Sequence, residues 1–239
     1  LDADNAAWKI AFVLHGWAPE GVLESYDAER MAATQENIEV TSATMNFLVP
    51  HDDAGREHRR ALLEAAARNP EAARRIDSGR FAEPFWYVDS PLTTPDPERP
   101  FAGRPPKGQA PPPAPGIVLP DLPVTVPDRP DVGRLRGIAR EGFLVLTGDG
   151  VEPQAVAAAL ADVDAPVAVR AVTAIEPTGR LAGVLALRDD EAWVVRPDAH
   201  VAAVVHGTPV DAAALTAAVR TALGHDGGTP TGAATTATP

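Results

Sequence analysis

Few residues in this chain could do chemistry, and most of them stand alone. Its six histidines are scattered and cysteine is absent. The lack of cysteine removes disulfides, thiolate metal sites, Cys-x-x-Cys redox chemistry and a cysteine nucleophile together. His51 stands beside Asp52 and Asp53, but no second histidine lies at a ligand spacing, so no metal site is expected. Asp198 and His200, in the stretch RPDAHV, put an acid and a base two residues apart. They flank a tight turn with no nucleophile motif near, and turn chemistry is the expectation. Ser78 and Ser90 lack a Gly-x-Ser-x-Gly context. Tyr26 and Glu29 share a helix face at i, i+3, with Arg30 next in line; that spacing suits a tyrosine packed on the first helix and an ion pair. No self-contained catalytic set results, and no residue is assigned a catalytic role.

The elements that must hold these residues fall into distinct stretches. Residues 1–17 predict a helix, with Asp2 and Asp4 at its start and Gly16 near its end. Ala3, Ala7, Ile10, Leu14 and Trp17 recur at helical spacing, yet Trp8, Ala11, Phe12 and Val13 fall on the other faces. A helix apolar nearly all round is expected to be buried on all sides. Residues 18–49 predict one long helix from Pro19, kinked near Thr41–Thr44, and 54–68 and 70–76 predict two shorter ones. Between 84 and 130 about one residue in three is proline, which forbids a continuous helix or a central strand. That stretch reads as an extended connector, with Trp86 and Tyr87 stapling it to the helices.

From 131 onward a second pattern begins. Strands are expected in 142–150, 166–172 and twice in 191–205, around Pro197-Asp198-Ala199. Helices are expected at 153–163 and 211–223, the latter capped by Gly224. The order β-α-β-β-β-α is that of a thioredoxin-like α/β layer. Residues 225–239 cannot bury a core and read as a disordered tail. The expected fold class is α+β, with a helical part at 1–83, a Pro-rich connector at 84–130, the α/β domain at 131–224 and the tail.

Composition narrows the function classes. The net charge of −12 argues against a nucleic-acid surface, which wants clustered Lys and Arg. No apolar run approaches the roughly 18–20 residues of a membrane span. The two N-terminal aspartates stand where a signal peptide would carry positive charge. A cytoplasmic protein without a membrane or nucleic-acid partner is the expectation.

Two clusters of residues resemble one family. Asp2, Ala3, Asn5, Trp8, Lys9 and Ile10, then Leu23, Tyr26, Glu29 and Arg30, are similar to the stretch after the last FAD-binding motif of flavin-dependent aromatic hydroxylases. These are the single-component monooxygenases of the phenol hydroxylase and 3-(3-hydroxyphenyl)propionate hydroxylase kind. Ala6 replaces that motif's usual leucine, and Ala32 stands where a proline often follows. Gly103 to Pro106, Gly142 to Leu146 and Arg196 to Ala202 resemble the family's redox-dead thioredoxin-like appendage. The resemblance implies FAD as cofactor, NADPH or NADH as reductant and a small phenolic or aromatic substrate. It places the start of the first helix on the pyrimidine side of the flavin, which makes Asp2 and Asn5 the cofactor-side candidates. No Gly-x-Gly-x-x-Gly follows a strand here. The chain therefore resembles the C-terminal part of a monooxygenase, partnered by an N-terminal FAD-binding region and open to homodimer formation. The competing expectation is a non-catalytic thioredoxin-like dimerisation or docking module on a helical stalk.

Overall fold

The computed structural model describes residues 2–73, 84–105 and 109–225. The chain divides into two units, Leu1–Ala28 with Trp86–Pro239, and Glu29–Phe85. The tail after residue 225, Ser78 and the end of the helix expected at 70–76 lie outside the described residues.

The first unit opens with α1 (Asp2–Leu14). One face, Asn5, Trp8, Lys9 and Phe12, is buried. The opposite face, Ala3, Ala7, Ile10 and Leu14, is exposed, with Leu14 at 80%. Burial on all sides is thus corrected: among the described residues this helix is covered on one side only. Gly16 (φ +74°) ends it, and a 3-10 turn (Glu20–Leu23) leads into α2 (Glu24–Leu48). The single helix expected over 18–49 is corrected too, because the tight i→i+3 pairing before Glu24 interrupts the α-helical ladder. Across Thr41–Thr44 the helix is unbroken. The Thr41 and Thr44 hydroxyls donate to the Asn37 and Val40 carbonyls four residues back, bonds that a continuing helix tolerates.

The second unit holds most of α2, then α3 (Asp53–Arg68) and α4 (Pro70–Ala73). Asp52 caps α3 by accepting from the Gly55 N–H at 2.7 Å. Met31, Thr34, Ile38, Thr41, Met45 and Leu48 follow one another at alternating three- and four-residue steps along α2, and all are exposed.

In the first unit, a short α5 (Leu135–Ala139) precedes β1 (Phe143–Thr147). There follow α6 (Pro153–Ala159), β2 (Val167–Ala171), α7 (Val172–Ile175), α8 (Arg180–Leu185), β3 (Glu191–Val195), β4 (Val201–His206) and α9 (Ala212–Ala222). The short helices α7 and α8 lie in a stretch for which the sequence suggests no element. The four strands make one sheet in the order β2-β1-β3-β4. β1 runs parallel to β2, while β3 is antiparallel to both β1 and β4.

Strand alternation splits the core into two layers. Phe143, Val145, Ala192, Val194, Ala203 and Val205 face one side, where they meet α1, α6 and α9. Leu144, Leu146, Trp193 and Val195 face the other, where they meet α5, α7, α8 and apolar residues between Trp86 and Val126. Trp8 and Phe12 of α1 reach Phe143 edge-on, with ring centroids 6.1 and 5.9 Å away. The Pro-rich stretch therefore supplies core. Its Ile117 and Leu119 are buried, and Gly116 N–H donates to the Val201 carbonyl at 2.7 Å. Gly116 has φ +91°, and a Cβ there would lie 2.5 Å from the Val88 Cα, so only glycine lets these two backbones meet. Trp86 and Tyr87 are buried in this sheet-bearing unit.

Candidate functional site

The two motif clusters noted in the sequence meet in space. Asp198 sits in the turn between β3 and β4 and is buried. Its Oδ2 accepts from Asn5 Nδ2 at 3.1 Å and from Trp8 Nε1 at 3.2 Å, bonds that span 193 and 190 residues of sequence. Arg196, fully buried, grips the same carboxylate at both oxygens, Nε to Oδ1 at 3.1 Å and Nη2 to Oδ2 at 2.6 Å. His200 Nδ1 stands 3.2 Å from Oδ1. The Arg196 guanidinium lies 5.5 Å from the Trp8 ring centre and 5.3 Å from that of Tyr87, and Tyr87 packs on the His200 ring at 4.2 Å.

Local backbone geometry aims this carboxylate. Arg196 N–H donates to the His200 carbonyl at 2.8 Å, closing the turn, and Ala199 N–H donates back to Arg196. Ala199 takes up the left-handed bend at φ +65°. Burial pushes the Asp198 carboxyl up, but the adjacent Arg196 charge, with His200, outweighs it and holds the group well below its ordinary range. The site therefore contains a buried, arginine-held carboxylate hydrogen-bonded to the first two turns of α1.

The far end of the same hairpin carries a second buried pair. Glu191, at the start of β3, accepts from Arg99 Nε at 2.7 Å and Nη2 at 2.8 Å. It also accepts from the Arg188 amide and from Trp193 Nε1, both at 3.0 Å. Asp96 Oδ2 lies 2.9 Å from His206 Nε2, whose Nδ1 is 3.6 Å from Glu191. Burial raises the Glu191 pKa, but the hydrogen bonds and charge of Arg99 bring it below the usual carboxylate value.

The remaining expected residues fall as follows. Asp2 is exposed at the start of α1 and accepts from the Tyr26 hydroxyl at 3.2 Å. Asp53 pairs with Arg56, and Ser90 Oγ accepts from the Leu92 amide at 3.0 Å. Among the described residues no group of three or more His, Asp and Glu could hold a metal, and no helix is long and apolar enough to cross a membrane. In the sequence Trp8 and Arg196 are visible only as motif members; their meeting through Asp198 is not. The remaining signal is residue type, since neither a helix face nor a two-residue turn requires a tryptophan or a buried arginine.

Comparison with known proteins covers both segments that meet at Asp198. Residues 112–225 match the family described as aromatic-ring hydroxylase, C-terminal, and residues 1–41 match the FAD-binding domain family. Over those two segments the chain is similar to parts of two domains of the flavin-dependent aromatic hydroxylases. A rifampicin monooxygenase of Streptomyces venezuelae is 43% identical over 47 residues, 20% of this chain and 10% of that protein. Aklavinone-11 hydroxylase, solved with FAD and aklavinone, superposes at a TM-score of 0.65 with 24% identity, over 93% of this chain and 39% of its own. RebC with bound 7-carboxy-K252c gives 0.64 with 26% identity, over 93% and 41%. The chain thus spans about two fifths of the solved structures it matches.

Proposed function

We propose that this chain works as the C-terminal part of an FAD-dependent monooxygenase that hydroxylates a phenolic or other aromatic ring, with NADPH or NADH as reductant. One observation supports this reading most. Asp198, within the segment matched to the hydroxylase C-terminus, holds Asn5 and Trp8, within the segment matched to the FAD-binding domain. A joint between two domains of one enzyme is the economical account of a buried carboxylate with donors from both.

FAD fits this chain as an edge contact. The start of α1 carries the positive end of the helix dipole, which suits an electron-rich acceptor edge. Asp2 and Asn5 mark that end, with the Asn5 amide turned inward to Asp198 and Asp2 exposed. When bound, FAD supplies the oxygen chemistry; these residues orient it. The phosphate-cradling Gly-x-Gly-x-x-Gly is supplied from outside residues 1–239. The exposed row Ala3, Ala7, Ile10 and Leu14 packs on that remaining FAD-binding region. We read the domain around β1–β4 as a thioredoxin-like scaffold, a reading supported by the strand order β2-β1-β3-β4 with β3 antiparallel to its neighbours and by the lack of cysteine.

The test is the intact mass and flavin absorbance of the native gene product isolated from its own host. A mass well above 25.0 kDa with bound flavin is the expected result, and residues 1–239 alone are expected to take up FAD weakly. A flavin-free native product near 25.0 kDa would overturn the reading and favour a docking module.

A further inference from the structure

The geometry points to Asp198 as a positioning residue for the flavin end of α1, acting through Asn5 and Trp8. This rests on the proposed flavoenzyme reading and goes beyond the family match, which assigns Asp198 no role.

Three features carry it. First, most of the packing on α1 is apolar, so its rotation about its own axis needs a directional restraint. Apolar contacts of Trp8 and Phe12 with Phe143 hold the helix down but are non-directional. Asn5 and Trp8 stand three residues apart on the buried face and donate to one oxygen, Asp198 Oδ2. Two bonds converging on one acceptor fix rotation and axial position together.

Second, the acceptor is itself fixed. Arg196 binds both Asp198 oxygens from two residues away, and the turn is closed by backbone bonds between Arg196 and His200. The carboxylate is thus rigid before α1 meets it.

Third, stability alone would not select this arrangement. A buried ion pair replaced by well-packed apolar groups is often no less stable. A fixed carboxylate makes sense where a helix end must be set to within about 0.5 Å, as a cofactor contact requires.

The experiment compares Asp198→Asn, Trp8→Phe and Glu191→Gln in the native flavoprotein. FAD affinity, the flavin midpoint potential and the flavin absorbance spectrum are measured beside thermal stability. Glu191 is the control, being equally buried in an arginine pair but holding Arg99, Arg188 and Trp193 in place of α1. Asp198→Asn is expected to weaken FAD binding about tenfold, or about 1.4 kcal/mol, and to shift the potential and the spectrum. Trp8→Phe, which changes no charge, is expected to move the same readouts in part. Glu191→Gln is expected to lower stability and leave them in place. Should Asp198→Asn fail to fold, the contrast between Trp8→Phe and Glu191→Gln decides alone. If Trp8→Phe leaves flavin affinity, potential and spectrum unchanged, or if Glu191→Gln moves them as far, the positioning role is overturned. A wild-type native protein without flavin would instead overturn the reading on which it rests.

Discussion

The β3–β4 hairpin carries a buried arginine–carboxylate pair at each end, and the two ends work differently. At the Glu191 end the pair is the tie itself, because Arg99 comes from a segment 92 residues away. Glu191 spends its acceptor capacity on Arg99, Arg188 and Trp193, all within the sheet-bearing unit. At the Asp198 end the pair is local, two residues apart, and formed by the turn. There the ion pair only aims the carboxylate, and the tie to α1 consists of two neutral donors. The same chemical group therefore fastens a chain segment in one place and orients a helix in the other.

Deleting each carboxylate gives the largest contrast. Asp198→Ala leaves the Arg196 guanidinium buried without its anion, and the Asn5 and Trp8 donors without an acceptor. Breaking a buried pair this way costs about 3–5 kcal/mol, read as a lower urea midpoint. Hydrogen exchange should show α1 losing protection while residues 92–102 keep theirs. Glu191→Gln likewise leaves the buried Arg99 without its anion and should cost about 3–5 kcal/mol. Its lost protection should appear in 92–102 and not in α1. Equal loss in both segments from either variant would mean that the ends are one cooperative unit and would break the comparison.

Acid should loosen both ends without mutation. Both carboxylates have folded-state pKa values below their ordinary ones. Their contributions are therefore complete above the unfolded-state values, about 3.9 for Asp and 4.3 for Glu, and are lost as pH falls toward the folded values. Asp198 has Arg196 and His200 beside it, and Glu191 has Arg99. As pH falls below about 4, both α1 and residues 92–102 should lose exchange protection. Protection kept in either segment through that fall would show that its carboxylate is not what holds it.

Much of this fold is legible in the sequence, and the misses have physical causes. The strands at 143–147, 167–171, 191–195 and 201–206 fall within or beside stretches marked by short apolar runs and turn residues. The split of strand residues between two faces is not legible, because strands buried on both sides lack alternation. The proline density around Ile117 and Leu119 hides a segment that bonds to Ala199 and Val201, since a few free N–H groups suffice for such pairing. The row Ala3, Ala7, Ile10, Leu14 shows as a face, but periodicity cannot say which of two apolar faces its own domain covers. RPDAHV reads as a turn, which it is. That its carboxylate also serves a helix 190 residues away follows from the tertiary fold, which no local pattern encodes.

The smallest effect sharpens the comparison most, because it separates orienting from fastening. Trp8→Phe removes one neutral bond to Asp198 and keeps an aromatic ring against Phe12 and Phe143. The carboxylate retains Arg196 and Asn5, so the loss should be near that of one hydrogen bond, about 1 kcal/mol. If α1 were merely fastened, its exchange protection would fall by that amount along its whole length. If Asp198 orients it, the apolar grip at Phe12 holds the C-terminal turn in place. Protection should then fall in the first two turns around Asn5 and stay near wild type around Phe12. Uniform loss along α1 would assign the Asp198 end the same fastening role as the Glu191 end.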